Sequence, residues 1–223
     1  RIADTLGAQT RLVSHYGEGD GILQSEDRTP DLRGALITGL IDSLPKSDLG
    51  GLADRIRSGS VKTLLVVNED VTALGIDAEL LTKVKVVYVG SLANETFKVA
   101  DVVIPSLMVF EKDGSFVNQA FRLQRFKAAI PGPSGIVPDY QVLEMMAAAL
   151  ADEKASAAHL DLTWERIATR LGTIEDTFRW SSIPEAGLPL EPGALADLPF
   201  VEKKNLKYDP VAFKEAQVAP AGA

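Results

Sequence analysis

The sequence predicts an α/β fold of the Rossmann-like, doubly wound kind, with a mainly parallel sheet, flanking helices and an extended proline-rich C-terminal tail. Three observations predict it. The runs VKTLLVV (61–67), VKVVYVG (84–90) and DVVIP (101–105) are nearly continuous in apolar, β-branched residues, as strands buried on both faces of a sheet are. The segments between them, GIDAELLTK and ANETFKVA, have the length and spacing of the helical crossovers that parallel strands require. Strand and helix signals therefore alternate as in one half of a doubly wound domain.

Taken in order, the N-terminal stretch RIADTLGAQTRLVSHYG has the pattern of a helix end leading into a strand. It starts at Arg1 without an initiator methionine, and the expectation is a piece of a longer protein. GEGDG (17–21) follows the expected strand and approaches a dinucleotide fingerprint. However, Ile22 stands where the third glycine belongs and Pro30 arrives too soon for a phosphate-binding helix, so a loop is expected. In KSDLGGLADRIRSG, Leu49, Leu52 and Ile56 recur at helical spacing, Ser47 or Asp48 is placed to cap the helix and Gly59 to end it. Later, PGPSGIVPD is a loop, and Pro138 with Asp139 opens the helix DYQVLEMMAAALAD. A second helix is expected over LTWERIATRL. From Thr173 prolines recur and periodicity fades. This divides the chain into an α/β domain over 1–172 and an extended tail over 173–223.

Composition narrows the function. A net charge of −8 over 223 residues leaves no basic footprint for a phosphate backbone, so no nucleic-acid partner is expected. The absence of cysteine excludes disulfides, thiolate zinc and iron–sulfur ligation within these residues. Two histidines, His15 and His159, are too few for an imidazole cluster, and each reads as structural. Trp164 and Trp180 read as core or tail packing. The longest apolar run, MMAAALA, is far short of a bilayer span, and no direct membrane insertion is expected.

The chemistry-bearing stretch is VFEKDGSFVNQAFRLQ (109–124). Asp113-Gly114 has the composition of a tight hairpin turn, and Arg122 and Gln124 alternate onto one face of the strand that leaves it. Two readings stay open on these residues alone: a charge and an amide facing a cleft, or internal pairing with Glu111 and nearby acids, of small energetic value if exposed.

NETFKVADVVIPSLMVFEKDGSFVNQAFRLQ closely resembles the signature of the molybdopterin oxidoreductase superfamily, with Glu95, Thr96, Ala100, Asp101, Pro105, Glu111, Lys112, Gly114, Phe116, Asn118, Arg122 and Gln124 in register. TPDLRGA (29–35) and PDYQVL (138–143) are similar to two further motifs of that family, and the resemblance runs from about Gly17 to Leu150. It implies either of two roles. Formate dehydrogenases and nitrate reductases of the superfamily bind a molybdenum or tungsten bis-pterin guanine dinucleotide. The molybdopterin-oxidoreductase-like component of the bacterial NADH-quinone oxidoreductase, respiratory complex I, keeps the fold without that cofactor. Cofactor-binding members place Gly-x-Asn-Pro after the first of the three strands, whereas this chain has Asn68-Glu69-Asp70-Val71, and the acid expected to end the next strand is Gly90.

The resemblance with these departures implies a non-catalytic scaffold portion of that complex I component, in the hydrophilic electron-transfer arm. No catalytic residue, cofactor or metal is then expected within these residues, iron–sulfur clusters belong to an N-terminal part, the partners are other subunits of the respiratory complex, and the location is the cytoplasmic face of the bacterial inner membrane. The alternative is the pterin-cofactor-binding portion of a formate-dehydrogenase-like enzyme, in which Glu111, Lys112, Asn118, Arg122 and Gln124 would line the cofactor site.

Overall fold

The computed structural model describes residues 2–20, 26–45, 49–154, 159–171 and 178–200. A parallel sheet forms its centre: β1 (Thr63–Val67), β2 (Lys85–Gly90) and β3 (Val102–Pro105), in the order β1-β2-β3. The register pairs Leu65 with Val87 and Val87 with Val102, and all three strands run the same way. The apolar runs thus become parallel strands where the sequence places them.

Each crossover is helical, and local chemistry sets its ends. Helix α3 (Leu52–Arg57) precedes β1, α4 (Ala78–Leu81) joins β1 to β2, and α5 (Glu95–Val99) joins β2 to β3. Gly51 at φ 71° starts α3, a conformation that glycine adopts without penalty; Ser47 and Asp48, the expected caps, lie outside the described residues. Asn94 caps α5 by accepting from the Phe97 amide at 2.8 Å. The core beneath the sheet joins Leu52 and Ile56 of α3 and Leu80 and Leu81 of α4 to Val66, Val86 and Tyr88. Phe97 of α5 meets the Tyr88 ring edge to face.

A second unit is antiparallel. Strands β4 (Gly114–Val117) and β5 (Arg122–Phe126) form a hairpin, with the two-residue β6 (Leu188–Pro189) beside β5. The sequence places the hairpin turn at Asp113-Gly114, and the structure corrects this. Gly114 is the first residue of β4, and the turn lies at 118–121. Asn118 Oδ1 accepts from the amides of Ala120 and Arg122, and Phe121 adopts φ 54°. The chain reaches the hairpin from β3 through a 3-10 turn at Val109–Glu111.

Helix α6 (Asp139–Leu150) follows Pro138 as expected, and α7 (Leu160–Leu171) occupies LTWERIATRL. Short helices α1 (Ile2–Leu6) and α2 (Leu32–Ile37) complete the set. Around the hairpin a second core gathers Leu32 and Leu36 of α2, Val117, Leu123, Trp164, Trp180, Ile183 and Phe200. Trp164 and Trp180 anchor it through their indole N–H groups, which donate to Ser115 Oγ and the Gly114 carbonyl at 3.2 and 2.8 Å. No described helix is long and apolar enough to cross a membrane.

Candidate cofactor crevice

In an open parallel sheet, ligands bind at the carboxyl ends of the strands, and here that end is built from the residues after β1. Asn68 leaves the strand with φ 54° while its amide still donates to Val89 O at 2.8 Å. The positive φ turns the chain sharply and presents Glu69 and Asp70.

Asp70 is consumed by the fold. Its carboxylate accepts from the hydroxyls of Thr72 (2.7 Å) and Thr96 (2.8 Å) and from the amides of Thr72, Thr96 and Glu95 at the start of α5. The Thr96 hydroxyl in turn accepts from the Val71 amide, and Thr96 is fully buried. Burial pushes the Asp70 carboxyl up, but the hydrogen bonds outweigh it and bring the group down to about 2. Asp70 thus stays ionised and staples the β1 loop to α5.

Glu69 faces the other way. Its Oε2 lies 2.7 Å from His15 Nε2 and its Oε1 accepts from the Asp70 amide. The 54-residue separation of His15 and Glu69 explains why sequence reading treats His15 as isolated. His159, by contrast, uses its carbonyl to start α7 by accepting from the Thr163 amide.

The end of β2 departs from the resemblance for a steric reason. A side chain at Gly90 would sit 2.5 Å from the Tyr88 hydroxyl. That hydroxyl donates to Leu92 O and receives Asn94 Nδ2. The Tyr88 phenol thus occupies the space an acid at position 90 would need.

Asp139, at the start of α6, is the node of the crevice. Its Oδ2 receives Lys112 Nζ at 2.6 Å and Asn68 Nδ2 at 3.0 Å, while its Oδ1 accepts from the Tyr140 amide. The Lys112–Asp139 pair is largely shielded, with side-chain exposures of 16 and 20%. This one carboxylate joins the β1 loop, the approach to the hairpin and α6.

The five residues singled out in the sequence are placed as follows. Glu111 accepts from the Met108 amide and closes its own 3-10 turn. Lys112 pairs with Asp139. Asn118, Arg122 and Gln124 share one face of the β4–β5 hairpin with the stacked rings of Phe116 and Phe126. Asn118 Nδ2 donates to Gln124 Oε1, and the Arg122 guanidinium donates to the carbonyls of Ala186 and Gly187, both at 3.2 Å. Glu111 and Lys112 belong to the approach, and the other three to the hairpin face.

GEGDG lacks the setting of a phosphate loop in its described part, because Tyr16 bridges Asp27 antiparallel and Arg28 donates back to His15 O. TPDLRGA packs against the hairpin instead. Asp31 Oδ1 receives the Val117 amide at 2.7 Å, and the buried Arg33 guanidinium lies over the rings of Phe121 and Phe200 at 5.1 and 4.0 Å. A cavity of about 220 Å³ opens between this segment and Val117 and Asn118.

The test of fit for an anionic dinucleotide is electrostatic. A diphosphate approaching the β1 loop meets Glu69, Asp70 and Asp139. His15 and Lys112, the basic side chains placed there, are engaged by two of those same carboxylates. Like charge in a partly dehydrated crevice is costly, so the β1 side of the crevice does not fit that group.

Comparison with known proteins adds the lineage. Residues 34–149 match the family described as molybdopterin oxidoreductase. The subunit alpha of F420-dependent formate dehydrogenase 2 of Methanococcus maripaludis is 41% identical over 54 residues, 24% of this chain and 8% of that protein. YrhE of Bacillus subtilis, named as a provisional formate dehydrogenase, is 30% identical over 112 residues, 48% of this chain and 11% of that protein. The chain therefore spans about a tenth of the length of these relatives.

Proposed function

We propose that this chain, which belongs to the molybdopterin oxidoreductase family, is a structural portion of the large subunit of a multi-subunit, formate-dehydrogenase-like oxidoreductase, framing the crevice at the ends of its parallel strands without gripping a dinucleotide there. The observation that carries this reading is the carboxylate cluster of Glu69, Asp70 and Asp139, internally engaged and with its basic neighbours paired. The formate dehydrogenase class is supported by the relatives, two of which are named as alpha subunits. The respiratory NADH-quinone assignment, a scaffold in the hydrophilic arm at the cytoplasmic face of the bacterial inner membrane, has less support: it rests on the departures at Asn68, Val71 and Gly90, and the comparisons do not point to it.

A second reading is favoured by the comparisons themselves. Family membership and the formate dehydrogenase relatives support a cofactor-binding portion. In that case the grip would have to come from the hairpin side, through Asn118, Arg122 and Gln124 with Glu111 and Lys112, which would need to exchange their present protein partners. Elemental analysis and pterin fluorescence of the full-length polypeptide, purified from cells able to make the cofactor, separate the two. The structural reading expects neither molybdenum, tungsten nor pterin; stoichiometric metal with pterin overturns it in favour of the second.

A further inference from the structure

The two faces of the parallel sheet are unequal. Residues paired across β1, β2 and β3 share a face, so Leu64, Val66, Val86, Tyr88 and Val103 look one way and Leu65, Val67, Val87, Val89, Val102 and Ile104 the other. The first set meets α3, α4 and α5. This follows from topology. Crossovers of one hand in a sheet that steps steadily from β1 to β3 fall on the same side.

The second set is as apolar as the first, yet Val67 and Val102 are 37 and 49% exposed, and Leu65, Val87 and Ile104 are half-buried. Only Val89, at the carboxyl end, is fully buried on that side. A parallel sheet of continuous apolar strands is stable with both faces covered. Its polar edge is already in place, with Lys85 and Asp101 paired at 2.7 Å at the amino end of β2 and β3.

The edges say where a cover comes from. Beyond β3, Val137 bridges Ser106 in the parallel sense, so that side is occupied at its carboxyl end. Beyond β1, no described strand pairs. In a doubly wound sheet the helices of the second face belong to strands that step in the opposite direction from the first strand. Such strands would start at the free edge of β1. In the relatives the matched stretch is only 8 to 11% of the polypeptide, so they contain ample chain to build them.

We infer that the Leu65–Val87–Val102 face is the seat of amphipathic helices from the part of a longer polypeptide lying outside residues 1–223, whose strands extend the sheet from β1. The surface is thus internal to one folded polypeptide. It is independent of whether the crevice holds a cofactor, because it lies on the sheet face and not at the strand ends.

The test uses the full-length polypeptide carrying Val102→Cys or Val67→Cys, with Leu92→Cys, at a site 63% exposed, as the reference. Thiol labelling is read peptide by peptide by mass spectrometry, and a cysteine-tethered photo-crosslinker at the same positions identifies the cover. The two sheet-face thiols are expected to label at least tenfold more slowly than Leu92→Cys and to cross-link to peptides of the same polypeptide outside residues 1–223. Labelling at the Leu92→Cys rate overturns the inference. So do cross-links to residues 201–223, to an isotopically marked second copy or to a separate protein.

Discussion

Asp31 is the residue whose environment predicts the clearest solution behaviour. Burial raises its carboxyl from 3.8 to about 6, and the hydrogen bonds it accepts from the amides of Val117 and Gly34 only partly oppose this. A carboxyl raised in the folded state favours folding most when protonated. Its contribution is full below about pH 4 and is lost as pH rises through 6. Asp31→Asn keeps an oxygen for the Val117 amide and removes the ionisation. It is expected to stabilise the protein by about 1–2 kcal/mol at pH 8 and to change little at pH 4, as read by denaturant midpoints across that range. Gly34 has its own constraint here, because a Cβ there would lie 2.2 Å from Asp31 Oδ1. Arg122 belongs to the same scale. Its fork holds two backbone carbonyls of the tail segment before β6, so Arg122→Ala is expected to lower stability by about 1 kcal/mol; an unchanged melting temperature together with lost assembly would mark it as a contact to a ligand or partner instead.

Between elements, Asp139 is the joint that couples the parallel sheet to the approach to the hairpin. A double-mutant cycle of Lys112→Met and Asp139→Asn is expected to give a coupling of about 1–2 kcal/mol, because the pair is shielded but not wholly dry. Additive effects would mean that the joint is held by Asn68 alone. The elements themselves were largely readable. β1, β2 and β3 announce themselves as apolar runs, and α5 by Asn94 as its cap. The hairpin turn was not, because Asp113-Gly114 has the stronger turn composition, whereas the actual turn depends on Asn118 bonding two amides beyond it and on Phe121 accepting a left-handed φ. In the crevice, the departures at Glu69, Asp70 and Gly90 were visible as residue types. Their partners were not, since His15–Glu69 and Lys112–Asp139 span 54 and 27 residues and only the fold brings them together. The space taken by Tyr88 above Gly90 is likewise a tertiary fact.

Across the whole molecule, the parallel sheet and the hairpin unit each own a core, and the crevice lies where their polar ends meet. The sheet's strand ends carry carboxylates that already serve the fold, so the same groups that stabilise the β1 loop repel a diphosphate. A high-resolution structure of the full-length polypeptide, purified from cells that make the pterin cofactor, tests this most directly. The account predicts Glu69 still on His15 and Asp139 still on Lys112, with no dinucleotide between them. A diphosphate seated against the β1 loop, with Lys112 or His15 turned away from its carboxylate to meet it, would contradict the account.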